Sequence, residues 1–125
     1  MTAFSNSSKM KLFTCDKTLQ TLFNEVIKEH DCIILCGHRG EDDQEKAFDD
    51  GKSKLHYPNS KHNSSPSKAV DAAPYHSDEP HIRWSDIDDF KNFAAKVMEI
   101  ANRLNIEVKW GGNWAHFHDY PHWEI

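Results

Sequence analysis

Apolar residues recur at helical spacing in two stretches of the chain, and each stretch predicts an amphipathic helix. The first carries Leu19, Leu22, Phe23, Val26 and Ile27. The second carries Phe90, Phe93, Ala94, Val97, Ala101 and Leu104, and Ser85 just before it is suited to cap its start. Three shorter patterns predict strands: the apolar run Cys32-Ile33-Ile34-Leu35-Cys36, the run Ala69-Val70-Asp71-Ala72-Ala73 closed by Pro74, and the alternation Ile106-Glu107-Val108-Lys109-Trp110. An acidic stretch with Gln44, Ala47 and Phe48 predicts a short helix ending near Gly51. Residues 1–12 are polar and Ser-rich and read as a flexible arm. Residues 51–67 have almost no apolar content and read as a loop, of a length that marks functional or disordered segments. A second polar loop runs to Trp84. With no repeat and no internal boundary, the pattern predicts a single domain over 1–125. Its class is α+β, a small antiparallel sheet with helices packed on one face.

Composition narrows the function. The 125 residues hold 15 Lys+Arg against 20 Asp+Glu, a net charge of -5. That balance argues against a partner gripped through its phosphates, so no nucleic acid is expected. No apolar run approaches the roughly 20 residues that span a bilayer, so no membrane insertion is expected. Met1 to Phe13 lacks the apolar core of a secretory signal. Cys15, Cys32 and Cys36 match neither a disulfide framework nor a zinc-finger spacing. Synthesis in a reducing cytoplasm is the expectation, and nothing demands more than a monomer.

The chemistry lies in a few polar residues. Asp71 stands inside an apolar strand, where alternation puts it on one face with Ala69 and Ala73. A carboxylate there is costly to bury unless a cation, a metal or several donors meet it; an edge strand with Asp71 in water is the competing reading. His62 sits in the long polar loop, which could fold back beside that strand or leave the imidazole solvated. Asp119-Tyr120-Pro121-His122-Trp123-Glu124 adds a second imidazole, with Asp119 three residues before it. Two imidazoles and one carboxylate leave a fourth position open on zinc, as in catalytic sites. A nearby carboxylate such as Asp119 could move a proton there, or could be an ordinary polar residue near the C-terminus.

Four segments in order carry a family resemblance: Ser60-Lys61-His62-Asn63; Pro66-Ser67-Lys68-Ala69-Val70-Asp71-Ala72-Ala73-Pro74-Tyr75; Trp110-Gly111-Gly112-Asn113-Trp114; and Asp119-Tyr120-Pro121-His122-Trp123-Glu124. Over about residues 32–125 the chain resembles the D-Ala-D-Ala-carboxypeptidase-type zinc peptidases, and within them the bacteriophage endolysin branch of L-alanyl-D-glutamate endopeptidases. The resemblance implies a hedgehog/D-Ala-D-Ala-peptidase-like fold. It also implies Zn²⁺ held by His62, Asp71 and His122, with Asp119 as general base. Arg39 falls where such enzymes carry an arginine for substrate and oxyanion; a surface pairing with Glu41-Asp42-Asp43 is the alternative. Ser60 is similar to a serine that lines the family's site, Gln44 falls near a position often polar in that branch, and both are expected to bind substrate. Asn113 departs from the Asp common in the Trp-Gly-Gly segment. Trp110 and Trp114 suit core and cleft wall, and Glu124, two residues from His122 in a strand, could support that imidazole. His116 and His118 lie near the proposed metal and are read as exposed.

Three functions follow. The first is a zinc endolysin cutting the L-alanyl-D-glutamate bond of peptidoglycan stem peptides. It would be made in the host cytoplasm and released to the wall through a holin-type pore. The second is a D-Ala-D-Ala carboxypeptidase or dipeptidase. The third is a catalytically silent wall- or metal-binding module, which filled ligand and base positions disfavour.

Overall fold

The structure, a computed structural model, describes residues 2–125. Both predicted amphipathic helices form. Helix α2 (Lys17–Glu29) buries the whole stripe from Leu19 to Ile27, and Asp16 caps it by accepting the Thr18 N–H at 3.0 Å. Helix α4 (Ile87–Arg103) buries Phe90, Phe93, Ala94, Val97, Ile100 and Ala101. Its cap is Asp86, not Ser85: the Asp86 carboxylate accepts the Asp89 N–H at 3.1 Å. A full negative charge at a helix N-terminus also meets the helix dipole.

Strands β1 (Cys32–Cys36), β2 (Ala69–Pro74), β3 (Lys109–Trp110) and β4 (His122–Glu124) form one antiparallel sheet in the order β1-β2-β4-β3. Alternation divides each strand between two environments. Ile34, Val70, Ala72 and Trp123 join the core with Phe23, Val26, Phe93 and Val97 of α2 and α4. Asp71, His122 and Glu124 take the opposite face, where loops cover the sheet and the chemistry gathers. The expected α+β class, with helices on one face, is the observed one.

The N-terminal arm is a correction. Residues Asn6–Phe13 form helix α1, capped by Ser5, whose hydroxyl accepts the Ser8 N–H at 3.2 Å. Phe4 and Leu12 enter the common core. Buried Ser8 accepts the Ile34 N–H at 3.0 Å, which occupies a donor on the free edge of β1. The pattern hides this helix because its inward side is partly polar, while Met10 and Phe13 stay exposed.

The third predicted strand is shorter than its alternation. Only Lys109–Trp110 pairs with β4. Asn105 turns left-handed at φ 62° after α4, and the Ile106 N–H returns to the Ala101 carbonyl at 2.8 Å. Residues 105–108 are thus spent leaving the helix. Helix α3 (Glu41–Asp49) forms as expected and ends before Gly51 at φ 78°. No helix among the described residues is long and apolar enough to cross a membrane.

Candidate active site

Sheet register brings the first two site residues together. Asp71 of β2 lies directly opposite His122 of β4, so their side chains leave the same face as neighbours. His62 arrives from the long loop on a 3₁₀ turn, Lys61–Asn63. Ser60 and Asn63 form a reciprocal cap around that turn, which holds its backbone against the sheet. A tight approach closes the fourth side. A Cβ at Gly111 would lie 2.4 Å from the Asp119 carbonyl oxygen and 3.0 Å from the His122 Cβ. Glycine therefore lets the Asp119 segment pack onto the strand, and the Asp119 N–H donates to the Gly111 carbonyl at 3.0 Å.

His62, Asp71 and His122 present one donor atom each, all within 4.8 Å of one another. Asp71 Oδ1 is 3.2 Å from His62 Nε2 and 3.3 Å from His122 Nδ1, and the two ring nitrogens are 3.3 Å apart. The outer nitrogens decide what faces inward. His62 Nδ1 donates to the Gly37 carbonyl at 2.8 Å, and His122 Nε2 donates to Glu124 Oε1 at 2.8 Å. With those protons fixed outward, two imidazole lone pairs and a carboxylate oxygen converge on one point. Such a cluster demands positive charge. Burial opposes charge on His62, yet Asp71 and Cys36 outweigh it and push the imidazole up to about 10. Burial likewise opposes the Asp71 carboxylate, but His122 and His62 hold it well below the usual range. A divalent ion meets the same demand with the donor set of an open catalytic site, so these residues fit a metal.

Asp119 stands beside the cluster, its Oδ2 3.9 Å from His122 Nδ1. Burial, reinforced by the negative charge of Asp71, pushes its carboxyl up to about 6. A carboxylate of raised proton affinity is a better proton acceptor near neutrality. Arg39 does not pair with the acidic run 41–43. Its Nη2 lies 3.5 Å from Asp71 Oδ2, and its Nη1 donates to Gln44 Oε1 at 3.1 Å.

Gln44 corrects the expectation of substrate contact. Gln44 is fully buried. Its Oε1 accepts from Arg39 and from Asn63 at 3.1 Å each, and its Nε2 donates to the Leu55 carbonyl at 2.7 Å and to Ser53 Oγ at 2.9 Å. Every polar atom is used, so Gln44 is a tie joining Arg39, the His62 turn and the loop, with nothing left for substrate. Ser60 borders the cleft; its hydroxyl accepts the His62 N–H at 3.2 Å, which shapes the turn, and keeps its own proton to donate.

Glu124 does support His122, and Lys61 approaches its other oxygen at 3.3 Å. Trp110 packs on Trp123, and Trp114 lines the cleft against His122. His116, His118 and Asn113 are exposed and stand outside the cluster. Cys36 is the neighbour that sequence reasoning missed. Ile34 is opposite Ala72 whereas Cys36 is opposite Asp71, so an extra residue bulges β1 and turns Cys36 to the site face. Burial would raise its thiol, but His62 outweighs that and lowers it. No sequence signal marks such a bulge.

A cation-demanding cluster, a carboxyl of raised proton affinity and a guanidinium meet in one cleft of an α+β domain, a combination suited to hydrolysis. Comparison narrows the class: the family model of phage L-alanyl-D-glutamate peptidases matches residues 1–124, and the chain belongs to that family. Among solved structures it is similar to the Serratia marcescens L-Ala D-Glu endopeptidase ChiX. That match covers 98% of this chain and 90% of the other, at TM-score 0.82 and 21% identity. The two share the α+β fold.

Proposed function

We propose that this chain is a zinc-dependent endopeptidase that cuts the L-alanyl-D-glutamate bond of peptidoglycan stem peptides and so lyses the host of a phage. The observation that carries the reading is the meeting of His62, Asp71 and His122 beside a desolvated Asp119, in a chain of this peptidase family. Zn²⁺ is the ion that suits two imidazoles and a carboxylate with a position left open, and when bound it supplies Lewis acidity toward a carbonyl and a water. Asp119 takes the proton of the attacking water and returns it to the leaving amine of D-glutamate. Arg39, held by Gln44, shares the negative charge that grows on the carbonyl oxygen. The Gly37 carbonyl and Glu124 keep both imidazoles in the tautomer that points a lone pair inward.

The proposed setting is synthesis in the host cytoplasm and action on the wall after release, as a monomer. Digestion of purified peptidoglycan, followed by mass spectrometry of the new amino termini, tests the bond. New N-terminal D-glutamate is the expected product; free D-alanine would make the chain a D-Ala-D-Ala carboxypeptidase instead.

A further inference from the structure

Two lobes of the cleft adjoin the His–Asp–His cluster; they share Arg39, Lys52, Phe117 and Asp119, and the rest of their linings differ in chemistry. One lobe, about 350 Å³, passes His62 and His122 and is bordered by Lys52, Lys54 and Lys61. Lys61 is paired with Glu124. Among the described residues, Lys52 and Lys54 have no carboxylate within 4.0 Å. The other lobe, about 680 Å³, adds Leu35, Asp71, Pro121 and Trp84 to the residues the two lobes share. Trp84 is 57% exposed, yet it is anchored. Its ring stacks on buried Phe90 with centroids 5.8 Å apart and planes at 28°. A large aromatic surface that packs on the core by one side and stays bare in a cavity beside the cluster suits a binding surface.

We infer that Trp84 is a stacking platform for the N-acetylmuramyl sugar of the substrate, with the lysine-bordered lobe taking the carboxylates beyond the cut. The inference rests on the proposed L-alanyl-D-glutamate specificity. In peptidoglycan the stem begins with that L-alanine, joined by an amide to the lactyl group of muramic acid. The acyl side of the scissile bond is therefore one alanine and then a sugar. One residue reaches at most about 3.6 Å, so the sugar has to enter the lobe next to the reacting carbonyl. A pyranose presents a face of C–H groups with hydroxyls at its rim, which suits a flat indole bordered by water. The other side of the bond carries the free carboxylate of D-glutamate and the acidic groups that follow it. Those suit Lys54, the unpaired lysine that borders only that lobe.

The test compares two substrates for the zinc-loaded enzyme, a muropeptide that keeps its N-acetylmuramic acid and the same stem peptide without sugar. For Trp84→Ala, KM is expected to rise roughly tenfold on the muropeptide, the scale of one lost stacking contact, with the free peptide unaffected. Trp84→Phe should restore most of the loss, and Lys54→Met should weaken both substrates alike. Equal losses on both substrates in Trp84→Ala, or no loss on either, would overturn the platform. Loss confined to the muropeptide in Lys54→Met would place the sugar in the lysine-bordered lobe and overturn it too. A wild-type enzyme that leaves the L-alanyl-D-glutamate bond intact in both substrates refutes the proposed function itself, an outcome distinct from the others.

Discussion

His62 and His122 each spend their outer nitrogen on a fixed acceptor, and that leaves their inner nitrogens facing across 3.3 Å. Neighbours of this kind create an affinity for positive charge that neither imidazole has alone. Asp119 differs from His62, Asp71 and His122 because its carboxylate stands off from the cluster, 3.9 Å from His122 Nδ1 and beyond hydrogen-bond distance. Asp119→Ala is therefore expected to cut hydrolysis by about 10²- to 10⁴-fold, the range for one proton-transfer group, while zinc stays bound. Steady-state turnover beside metal analysis checks this, and full activity would remove Asp119 from the chemistry. As candidates, His62, Asp71 and His122, which do meet with Asp119 beside them, were legible from the residue types themselves. Residue type misled at Gln44, because polarity alone does not distinguish a group that meets substrate from one consumed by four internal hydrogen bonds.

Elements were legible where burial follows a single period. Helices α2 and α4 show their stripes openly, and the β2 run declares itself by the one carboxylate it carries. Helix α1 escaped because Ser8 fills an inward position that an apolar residue would have advertised. The bulge that turns Cys36 and the register that pairs Asp71 with His122 are tertiary facts with no local pattern. Caps are local, and Asp16 makes a prediction. The Thr18 N–H, then Lys68, lower its carboxyl below the ordinary value. A lowered folded-state value contributes stability above the unfolded pKa, and that stability is lost as pH falls through the folded one. Asp16→Ala should thus cost about 1 kcal/mol at neutral pH, with the gap to wild type narrowing as pH drops below about 3.9. Thermal unfolding across pH reads it, and a gap that widens in acid would contradict the cap.

At the scale of the molecule, one sheet divides the labour. Its helix-facing side buries Val70, Ala72 and Trp123 for stability, and the same strands present Asp71 and His122 on the other side. The third member of the cluster, His62, comes from a turn that the hydrophobic pattern says nothing about, held in place by Ser60, Asn63 and Gln44. Local pattern could locate the strands, but only the order of four segments suggested that these distant residues meet. The most direct test is metal content by mass spectrometry after zinc loading and exhaustive dialysis. One zinc per chain in the wild type and none in His62→Ala is the predicted result. A wild type that returns without zinc, or a His62→Ala variant that keeps its full complement, would contradict the site.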